Sequence, residues 1–411
     1  MNRTLVWQLA WRYMRGKRSA NAVPILSRIS MVAIAIGTCA MIVLFSVFNG
    51  FELLVRDLYK AFYPELRITA VKGKFFPITE EERLRIQQVR GIKDISYVLE
   101  DNILLNSNDE QRVATVKGID RKYFDVNNIR PFLIDGSDSV TAYPAPTAIV
   151  GMQLHNEMGL DVHNVFSILT LYYPNAKSDN LTLDPQSAFQ SLKLKPDGIF
   201  QVQEEFDGRY LLASLDLVQN LMQAEGQFSS LELSLKDGED AEDVKEDLEK
   251  ALGQKYKIET RFEQNRTLYM VMRTEKWAVY AILLLVLLIA SLNMIGALSL
   301  LVLEKRKDMA ILSTMGAQPS TIRSIFVSEG ILWSMTGGVA GLLLGTALCL
   351  GQQHFQWIKM QGSFIIEAYP VTMQWQDFVL ILVTIIIVGL LAAWVPAKRA
   401  SKAEAPSLRS T

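Results

Sequence analysis

Four long stretches that lack charged residues constrain the fold of this 411-residue chain more than any other feature. They are 29–51, 277–303, 330–351 and 377–397, and the single charge among them is Asp377 at the start of the last. About 20 apolar residues in a helix span the hydrocarbon core of a bilayer. The sequence therefore predicts four transmembrane helices, called TM1 to TM4 in chain order.

The charges that flank these stretches predict how the chain is oriented in the membrane. The first 28 residues contain six Lys or Arg and no acidic residue, and further basic residues follow TM2 and TM4. Loops that carry an excess of Lys and Arg stay in the cytoplasm. We therefore expect segments 1–28, 304–329 and 398–411 to be cytoplasmic, and segments 52–276 and 352–376 to lie on the opposite side.

The N-terminal segment has the composition of a helix on a membrane surface. Trp7 and Trp11 lie one helical turn apart among basic residues, which predicts an amphipathic helix on the inner leaflet; a simple orientation signal is the alternative. The basic leader and the first apolar stretch are too long for a cleaved signal peptide, so TM1 is expected to be an anchor. Both cysteines, Cys39 and Cys349, lie in predicted spans, so segment 52–276 is expected to fold without a disulfide.

Segment 52–276 shows the mixed pattern of an α+β domain. A strand, a helix and further strands are predicted at its beginning, and a strand–helix–strand order returns at its end. The predicted elements are strand 66–71, helix 79–90, strands 95–98, 103–105 and 113–118, strand 231–235, helix 241–252 and strand 256–260. The helix at 79–90 begins with a capping box, in which Thr79 and Glu82 satisfy the first backbone N–H groups. The sequence thus predicts an α+β membrane protein whose large outer domain is split by an insertion at about 120–228.

The insertion has its own strands and one long polar segment. Strands are predicted at 148–151, 166–173 and 198–202, with a helix at 152–158 after the first of them. The polar segment 174–191 contains Pro, Asn and Asp and predicts a protruding loop. Loops of this length in compact domains are usually functional or disordered.

No sequence pattern in the chain predicts catalysis. The glycine-rich GxxxxGK[ST] loop of nucleotide hydrolases is absent, as are the nucleophile-elbow and zinc-protease motifs. His155 and His163 are eight residues apart, which is not a metal-ligand spacing, so we expect surface positions for them. No cluster of basic and aromatic residues predicts nucleic-acid binding. We therefore expect a non-enzymatic chain that binds no metal or cofactor itself.

The segment that follows TM2 combines charges with an apolar stripe, which consists of Met309, Ile311, Leu312 and Met315. The stripe has no obvious core of its own to fill, which predicts a short helix that docks onto a soluble partner at the membrane exit. Because the chain lacks a nucleotide-binding motif, that partner is predicted to be a separate ATPase. The predicted coupling residues are Glu304, Lys305, Arg306, Lys307, Asp308, Met309, Ala310, Ile311, Leu312, Met315, Gly316 and Ala317.

Two features inside the spans predict close helix packing. Gly337, Gly341 and Gly345 repeat every four residues in TM3, and such a stripe lets two helices approach closely in lipid. The partner helix could belong to this chain or to a second copy. Asn293 in TM2 is a polar residue in hydrocarbon and is expected to find a partner across an interface.

The layout and several local sequences resemble the FtsX/MacB-type (type VII) permeases of ABC transporters, and among them the lipoprotein-releasing LolC/LolE family. The end of TM1 resembles that family in its Asn-Gly-Phe-Glu sequence, residues 49–52. The run 303–317 after TM2 resembles it as well. The other similar segments are 29–37, 263–266, 275–276, 293–295, 369–371 and 395–400.

This resemblance implies a fold, a set of partners and several sites. The outer domain would be periplasmic, with a Porter-like subdomain and a Sabre-like insertion. Two permease subunits, in a homo- or heterodimer, would bind two copies of a LolD-type ATPase that holds ATP and Mg²⁺, and the run 304–317 would contain the coupling helix. TM1 and TM2 would form a cavity for the acyl chains of a lipoprotein, lined on TM1 by Met41, Phe45, Phe48 and Phe51.

A hook on the outer domain of this family recruits a LolA-type periplasmic carrier. Segment 174–191 occupies the corresponding region, and the candidate hook residues are Pro174, Leu181, Leu183, Pro185 and Phe189. Three other functions remain open at this point. They are a MacB-like exporter, an FtsX-like regulator of peptidoglycan hydrolases, and an unrelated membrane-bound enzyme. A MacB-like exporter normally has its ATPase in the same chain, so a separate ATPase argues against the first function. An FtsX-like regulator has a smaller outer domain, so the 225 residues here argue against the second.

Overall fold

The structure, a computed structural model, describes residues 23–107, 110–175, 188–359 and 368–402. These residues belong to two compact units. The helical unit contains 23–53, 271–359 and 368–402, and the α/β unit contains the described residues of 54–270. The predicted amphipathic helix of the N-terminal segment lies almost entirely outside the described residues.

Within the described residues four helices are of membrane length and the others are short. They are α1 (Val23–Tyr59), α2 (Glu80–Gln88), α3 (Tyr123–Val126), α4 (Met152–Glu157), α5 (Glu204–Asp207), α6 (Leu215–Met222), α7 (Ala241–Leu252), α8 (Arg261–Gln264), α9 (Arg266–Glu304), α10 (Arg306–Thr314), α11 (Pro319–Phe355) and α12 (Trp375–Lys402). Short 3-10 helices occur at Arg130–Phe132 and Gly253–Lys255.

The strands all belong to the α/β unit. They are β1 (Leu66–Ala70), β2 (Phe76–Pro77), β3 (Ile92–Ser107), β4 (Glu110–Ile119), β5 (Leu133–Gly136), β6 (Thr147–Gly151), β7 (Leu169–Pro174), β8 (Phe189–Phe200), β9 (Tyr210–Ser214), β10 (Gln227–Phe228), β11 (Ser230–Leu235) and β12 (Tyr256–Thr260).

Four of the described helices, α1, α9, α11 and α12, are long and apolar enough to cross a membrane. They coincide with the four predicted spans. Each helix also extends beyond its uncharged stretch, and α9 begins 11 residues before the predicted start of TM2. Backbone hydrogen bonding continues through charged residues, so apolarity marks the part that fits the hydrocarbon and not the ends of the helix.

Large side chains from α9 and α11 fill the core of the helical unit. Met294 and Leu298 of α9 and Phe326 and Trp333 of α11 are at most 2% exposed, and they pack against small residues of α12 such as Ala393. Small residues on one helix thus face large residues on its neighbours. Such interdigitation supplies the van der Waals contact that holds helices together in lipid.

The glycine stripe of α11 packs against α1 of the same chain. A Cβ atom at Gly337 would lie 2.6 Å from the carbonyl oxygen of Met31. A Cβ at Gly341 would overlap the carbonyl oxygen of Ala35, and one at Gly345 would overlap the side chain of Ile42. The stripe therefore brings α11 onto the backbone of α1, which answers the question that the sequence left open. Asn293, in contrast, lies on the exposed surface of α9, so its packing role stays a prediction.

Replacing Gly341 with alanine is expected to destabilise the helical unit by about 1–3 kcal/mol, the usual cost of overpacking a well-packed core. The added methyl group would also lie 2.8 Å from the Cβ atom of Thr38. Thermal unfolding of the purified protein in detergent measures this loss. Gly296→Ala is the matched control, because no atom lies within 4 Å of a Cβ at that position of α9. Equal stability of the two variants would contradict the packing described here.

The α/β unit is built on one mixed sheet whose order is β12-β1-β11-β3-β4-β9-β6-β8-β5, with β7 paired to β3 and β8. Strand β1 pairs antiparallel with both β11 and β12, which come from the far end of the unit's sequence. The predicted split domain is thus seen in the structure. Strands from the predicted insertion extend the same sheet beyond β4, where β9 joins in parallel.

Three sequence predictions about this sheet are wrong in detail. Strands 95–98 and 103–105 form one strand, β3, because ten residues of it pair with β4. The polar residues Glu100, Asp101 and Asn102 lie between the two predicted strands, and their side chains form ion pairs and hydrogen bonds inside the sheet. The predicted strand 198–202 is only the end of β8, and 166–168 precede β7. The capping box of Thr79 and Glu82 and the bounds of α7 and β12 agree with the sequence.

A buried charge network lies in the middle of the sheet. Lys117 and Glu232 are 2.7 Å apart, with side chains 3% and 1% exposed. Arg67 pairs with Glu100 at 2.6 Å. Burial by itself raises the pKa of Glu100, but the nearby Lys117 and Arg67 outweigh it and hold that pKa below the ordinary value. The stabilisation that Glu100 provides is therefore present at neutral pH and is lost as the pH falls through its lowered pKa.

Candidate coupling helix and clamp in the helical unit

Helix α10 follows α9 after a single residue, Lys305, and provides the short helix predicted at the exit of TM2. It ends at Thr314, and Gly316 then adopts a positive φ of 88°. The N–H of Ala317 donates to the carbonyl of Leu312 at 3.0 Å, and that of Gly316 to the carbonyl of Ser313 at 3.0 Å. Glycine is favoured at such a left-handed helix end because it has no side chain to clash.

Two apolar side chains project from α10 without cover in the helical unit. Ile311 is 59% exposed and Met315, just beyond the end of the helix, is 78% exposed. Leu312 is half-buried beside them. Apolar residues that stay exposed close together on one surface often mark a contact site for another protein. We refer to Ile311, Leu312 and Met315 as the docking surface, and its contact with a partner stays a prediction.

Met309 does not belong to that surface, contrary to the expectation from the sequence. It is 7% exposed and packs in the core that contains Val302 of α9 and Ile322 of α11. One residue of the apolar stripe, Met309, thus packs in the core of the helical unit, because α10 lies against the bundle at that position. Among the other predicted coupling residues, Glu304, Arg306, Lys307 and Gly316 are exposed, and Lys305, Asp308, Ala310 and Ala317 are half-buried.

A polar clamp joins three helices at the other end of the bundle. Asn49 of α1 is fully buried and donates from its side-chain amide to a carboxylate oxygen of Asp377 on α12 at 2.5 Å. Lys276 of α9 donates to the side-chain oxygen of Asn49 at 2.7 Å and lies 3.3 Å from the Asp377 carboxylate. The ammonium group also lies 5.3 Å from the centre of the Phe45 ring. We refer to Asn49, Lys276 and Asp377 as the clamp.

Backbone contacts reinforce the clamp around Gly50. The N–H of Thr372 donates to the carbonyl of Ser46 at 2.8 Å, and Asn49 donates to the carbonyl of Thr372 at 3.3 Å. A Cβ atom at Gly50 would lie 2.8 Å from the backbone nitrogen of Val371. Asparagine and glycine at this end of α1 are thus explained by their contacts with the segment before α12.

The sequence carries a signal for the clamp. Lys276 and Asp377 are charges of opposite sign that border the uncharged stretches of TM2 and TM4, on the same predicted side of the membrane. Two such residues can pair when their helices are neighbours. Pairing could not be predicted, because the sequence does not state which spans are adjacent.

The predicted cavity residues of TM1 do not share one surface of the helical unit. Met41 and Phe45 are at most 1% exposed and pack against Ile381 and Ile385 of α12. Phe48 is half-buried, and Phe51 is 36% exposed. The four are large apolar residues near the predicted outer-leaflet end of TM1, whereas the helical period places the first two against α12. The exposed apolar positions of α1 include Ile25, Ile29, Val32 and Ile36.

Two of the five candidate hook residues, Pro174 and Phe189, lie on antiparallel strands of the α/β unit. Pro174 at the end of β7 pairs with Phe189 at the start of β8, so both ends of the predicted loop are strand. Phe189 is 47% exposed. Leu181, Leu183 and Pro185 lie outside the described residues.

Aromatic residues fix the last turn of α1 inside the α/β unit. Phe62 stacks on Phe206 with ring centres 4.7 Å apart. The hydroxyl of Tyr59 donates to a carboxylate oxygen of Glu205 at 3.0 Å. A membrane-length helix thus ends in a well-packed part of the outer domain.

Among the described residues, no three His, Cys, Asp or Glu side chains form a group that could hold a metal ion, and His163 pairs with Asp135 instead.

Comparisons with known proteins match two parts of the chain. A family model described as the FtsX-like permease C-terminal region matches residues 280–405, and one described as the MacB-like periplasmic core domain matches residues 27–162. The crystal structure of the periplasmic region of MacB from Actinobacillus actinomycetemcomitans covers 53% of this chain and 98% of its own, at 12% identity and a TM-score of 0.36. That score is too low to support an argument.

Two curated relatives are similar over nearly the full length. The lipoprotein-releasing system transmembrane protein LolE of Haemophilus influenzae is 24% identical over 417 residues, which is 98% of each chain. The corresponding LolC protein of Xylella fastidiosa is 24% identical over 404 residues, which is 95% of each chain. With its four apolar helices, the chain is an inner-membrane protein with a periplasmic domain. The predicted resemblance is therefore confirmed: the chain combines a MacB-like periplasmic core with an FtsX-like permease C-terminal region, and is similar throughout to the LolE and LolC transmembrane proteins.

Proposed function

We propose that this chain is a permease subunit of an ABC transporter that extracts lipoproteins from the outer leaflet of the inner membrane and passes them to a periplasmic carrier. The observation that carries the proposal is α10, which presents Ile311 and Met315 beside four membrane-length helices. The full-length similarity to LolE and LolC narrows the cargo to lipoproteins.

The energy for this task would come from a partner. Each acyl methylene costs about 0.8 kcal/mol to move from lipid to water, so extraction of several chains needs an external source and a shielded path. A LolD-type ATPase on α10 would bind ATP and Mg²⁺, while this chain is not an enzyme and binds no cofactor. A second permease subunit would complete the membrane part, with lipid around it and no nucleic acid involved. Both termini and the loop that contains α10 would lie in the cytoplasm.

Release of a lipoprotein from a membrane tests the proposal directly. The chain is reconstituted in liposomes with its permease partner and ATPase, together with a triacylated lipoprotein. After addition of ATP and a carrier protein, lipoprotein in the soluble fraction is measured. We expect release that requires both ATP and the carrier. Absence of release combined with export of a soluble compound, or with activation of a peptidoglycan hydrolase, would instead support the MacB-like or the FtsX-like function.

Carrier capture is expected to depend on the β7–β8 hairpin. Phe189→Ala should weaken binding of the carrier about tenfold or more, because exposed aromatic anchors often dominate such contacts. Binding of the purified carrier to the reconstituted chain measures this loss. Phe166→Ala is a matched control, since Phe166 is 85% exposed in the same unit but outside the hairpin. Equal binding by the two variants, and by a deletion of residues 176–187 that spares both strands, would exclude the hook.

A further inference from the structure

Three large apolar side chains stay exposed at the end of α11, outside the sites described above. Phe355 is the last residue of the helix and is 63% exposed, and Trp357 and Ile358 just after it are each 62% exposed. The rings of Phe355 and Trp357 lie nearly parallel, with centres 5.5 Å apart. We refer to Phe355, Trp357 and Ile358 as the ledge. Apolar groups that are exposed together mark a contact with another molecule or with a membrane.

The turn that carries the ledge is held in place by its neighbours. Gln356 ends α11 with a positive φ of 51°, so the chain leaves the helix at that residue. Trp357 then lies against Gly351, where a Cβ atom would come within 2.6 Å of the indole ring. Glycine at this position of α11 therefore leaves the space that the indole ring occupies.

Gln352 satisfies the backbone of the ledge. It is 7% exposed, and its side-chain amide donates to the carbonyl of Ile358 at 2.9 Å. Its side-chain oxygen accepts from the N–H of the same residue at 3.0 Å. The N–H of Tyr369 also donates to the carbonyl of Ile358, at 3.0 Å. Non-helical backbone is tolerated at membrane depth only where its polar groups are bonded within the protein, and these bonds meet that condition at Ile358.

The ledge lies at the end of the bundle that carries the clamp. Gln353 of α11 and Asn49 of the clamp both donate to carbonyl groups of the segment before α12. Two further tryptophans, Trp277 and Trp375, lie close to clamp residues in the sequence and are 54% and 73% exposed. Tryptophan is enriched where hydrocarbon meets the lipid headgroups, because its ring is apolar and its N–H is polar. From this end of α1 the chain also enters the periplasmic domain.

We propose that the ledge is inserted in the outer leaflet of the inner membrane, at the level where the headgroups meet the acyl chains. Lipid is the occupant that fits, because the ledge continues directly from a helix of membrane length. No Asp, Glu, Lys or Arg lies between Glu329 and Lys359. The ledge then fixes the depth of α11 in the leaflet that faces the periplasm. This role requires neither an ATPase nor a lipoprotein, so it holds independently of the proposed function.

Fluorescence quenching by spin-labelled lipids measures the depth of the ledge. In the full chain with Cys39→Ser and Cys349→Ser, Ile358→Cys is labelled with a small fluorophore and reconstituted in nanodiscs. One lipid carries a nitroxide near the top of its acyl chain, and a second lipid carries it near the chain end. We expect several-fold stronger quenching by the first. Leu343→Cys, 67% exposed near the middle of TM3, should show the reverse order. Val113→Cys, 72% exposed on β4, should be quenched by neither.

A second variant tests how the ledge is held. Gln352→Met keeps the length of the side chain but loses both hydrogen bonds to Ile358, so quenching of the Ile358→Cys label should fall several-fold. Gln353→Met is the matched control, because the amide of Gln353 bonds to Val371 instead. Unchanged quenching in Gln352→Met would overturn the part assigned to Gln352. Equal quenching of Ile358→Cys by the two nitroxides, or none above that of Val113→Cys, would overturn the insertion itself. This second comparison stands even if Gln352→Met does not fold.

Discussion

Replacing Asp377 with asparagine is expected to destabilise the helical unit by about 3 kcal/mol, the lower end of the cost of removing one partner from a buried ion pair. Asparagine can still bond to Asn49, but the charge of Lys276 then has no counterion. The lower end is appropriate because the Lys276 side chain is 27% exposed. Thermal unfolding in detergent or nanodiscs measures the loss.

A double variant separates the pair from its neighbours. Lys276→Met combined with Asp377→Asn removes both charges and should recover most of the stability, because a neutral pair needs no counterion. Lys250 and Asp247 provide a matched control, since they form an exposed pair of the same residue types at 3.0 Å. Asp247→Asn should leave unfolding unchanged. If Asp377→Asn were equally silent, the clamp would not stabilise the bundle.

Introducing a charge at Ile311 is expected to uncouple the ATPase while the permease stays folded. Ile311→Asp and Met315→Asp each place a carboxylate on the docking surface, and a lost hot-spot contact of about 1.4 kcal/mol or more corresponds to at least a tenfold weaker complex. Co-purification and titration of the ATPase measure this. ATP-dependent release should decline in parallel.

Two variants on the same helix make the experiment specific. Ser313→Asp introduces the same charge at an exposed polar position of α10, and we expect ATPase binding close to that of the wild type. Met309→Asp should instead destabilise the helical unit, because Met309 is 7% exposed in its core. A loss of ATPase binding in Ser313→Asp equal to that in Ile311→Asp would show that charge alone, and not the apolar contact, matters.

The sequence predicted those parts of the molecule that follow from local pattern. The four spans, the capping box at Thr79 and the bounds of α7 each depend on residues close together in the chain. The split of the outer domain was also predicted, because a strand–helix–strand order appears at both of its ends, and the structure pairs β1 with β11.

Burial of individual side chains could not be predicted in the same way. Met309 was predicted to lie on a docking surface because it is apolar and belongs to the predicted coupling segment. Phe45 was predicted to line the acyl-chain cavity because it is apolar and belongs to TM1. The structure covers them with residues from α11 and α12, which are far away in the chain. The unbroken strand β3 was missed for a related reason, because the partners of Glu100 are distant in sequence.

The contact between the glycine stripe and α1 restricts how the bundle can open. Two helices slide past each other most easily when flexible side chains lie between them. At Gly337 and Gly341 the backbone of α11 lies directly against the backbone of α1, with no side chain between them. Helices α1 and α11 are therefore expected to move together as one rigid body. The side of α1 that carries Ile29, Val32 and Ile36 faces away from that joint and remains uncovered in the helical unit. An opening of the bundle would then separate other helices and leave the contact between α1 and α11 intact.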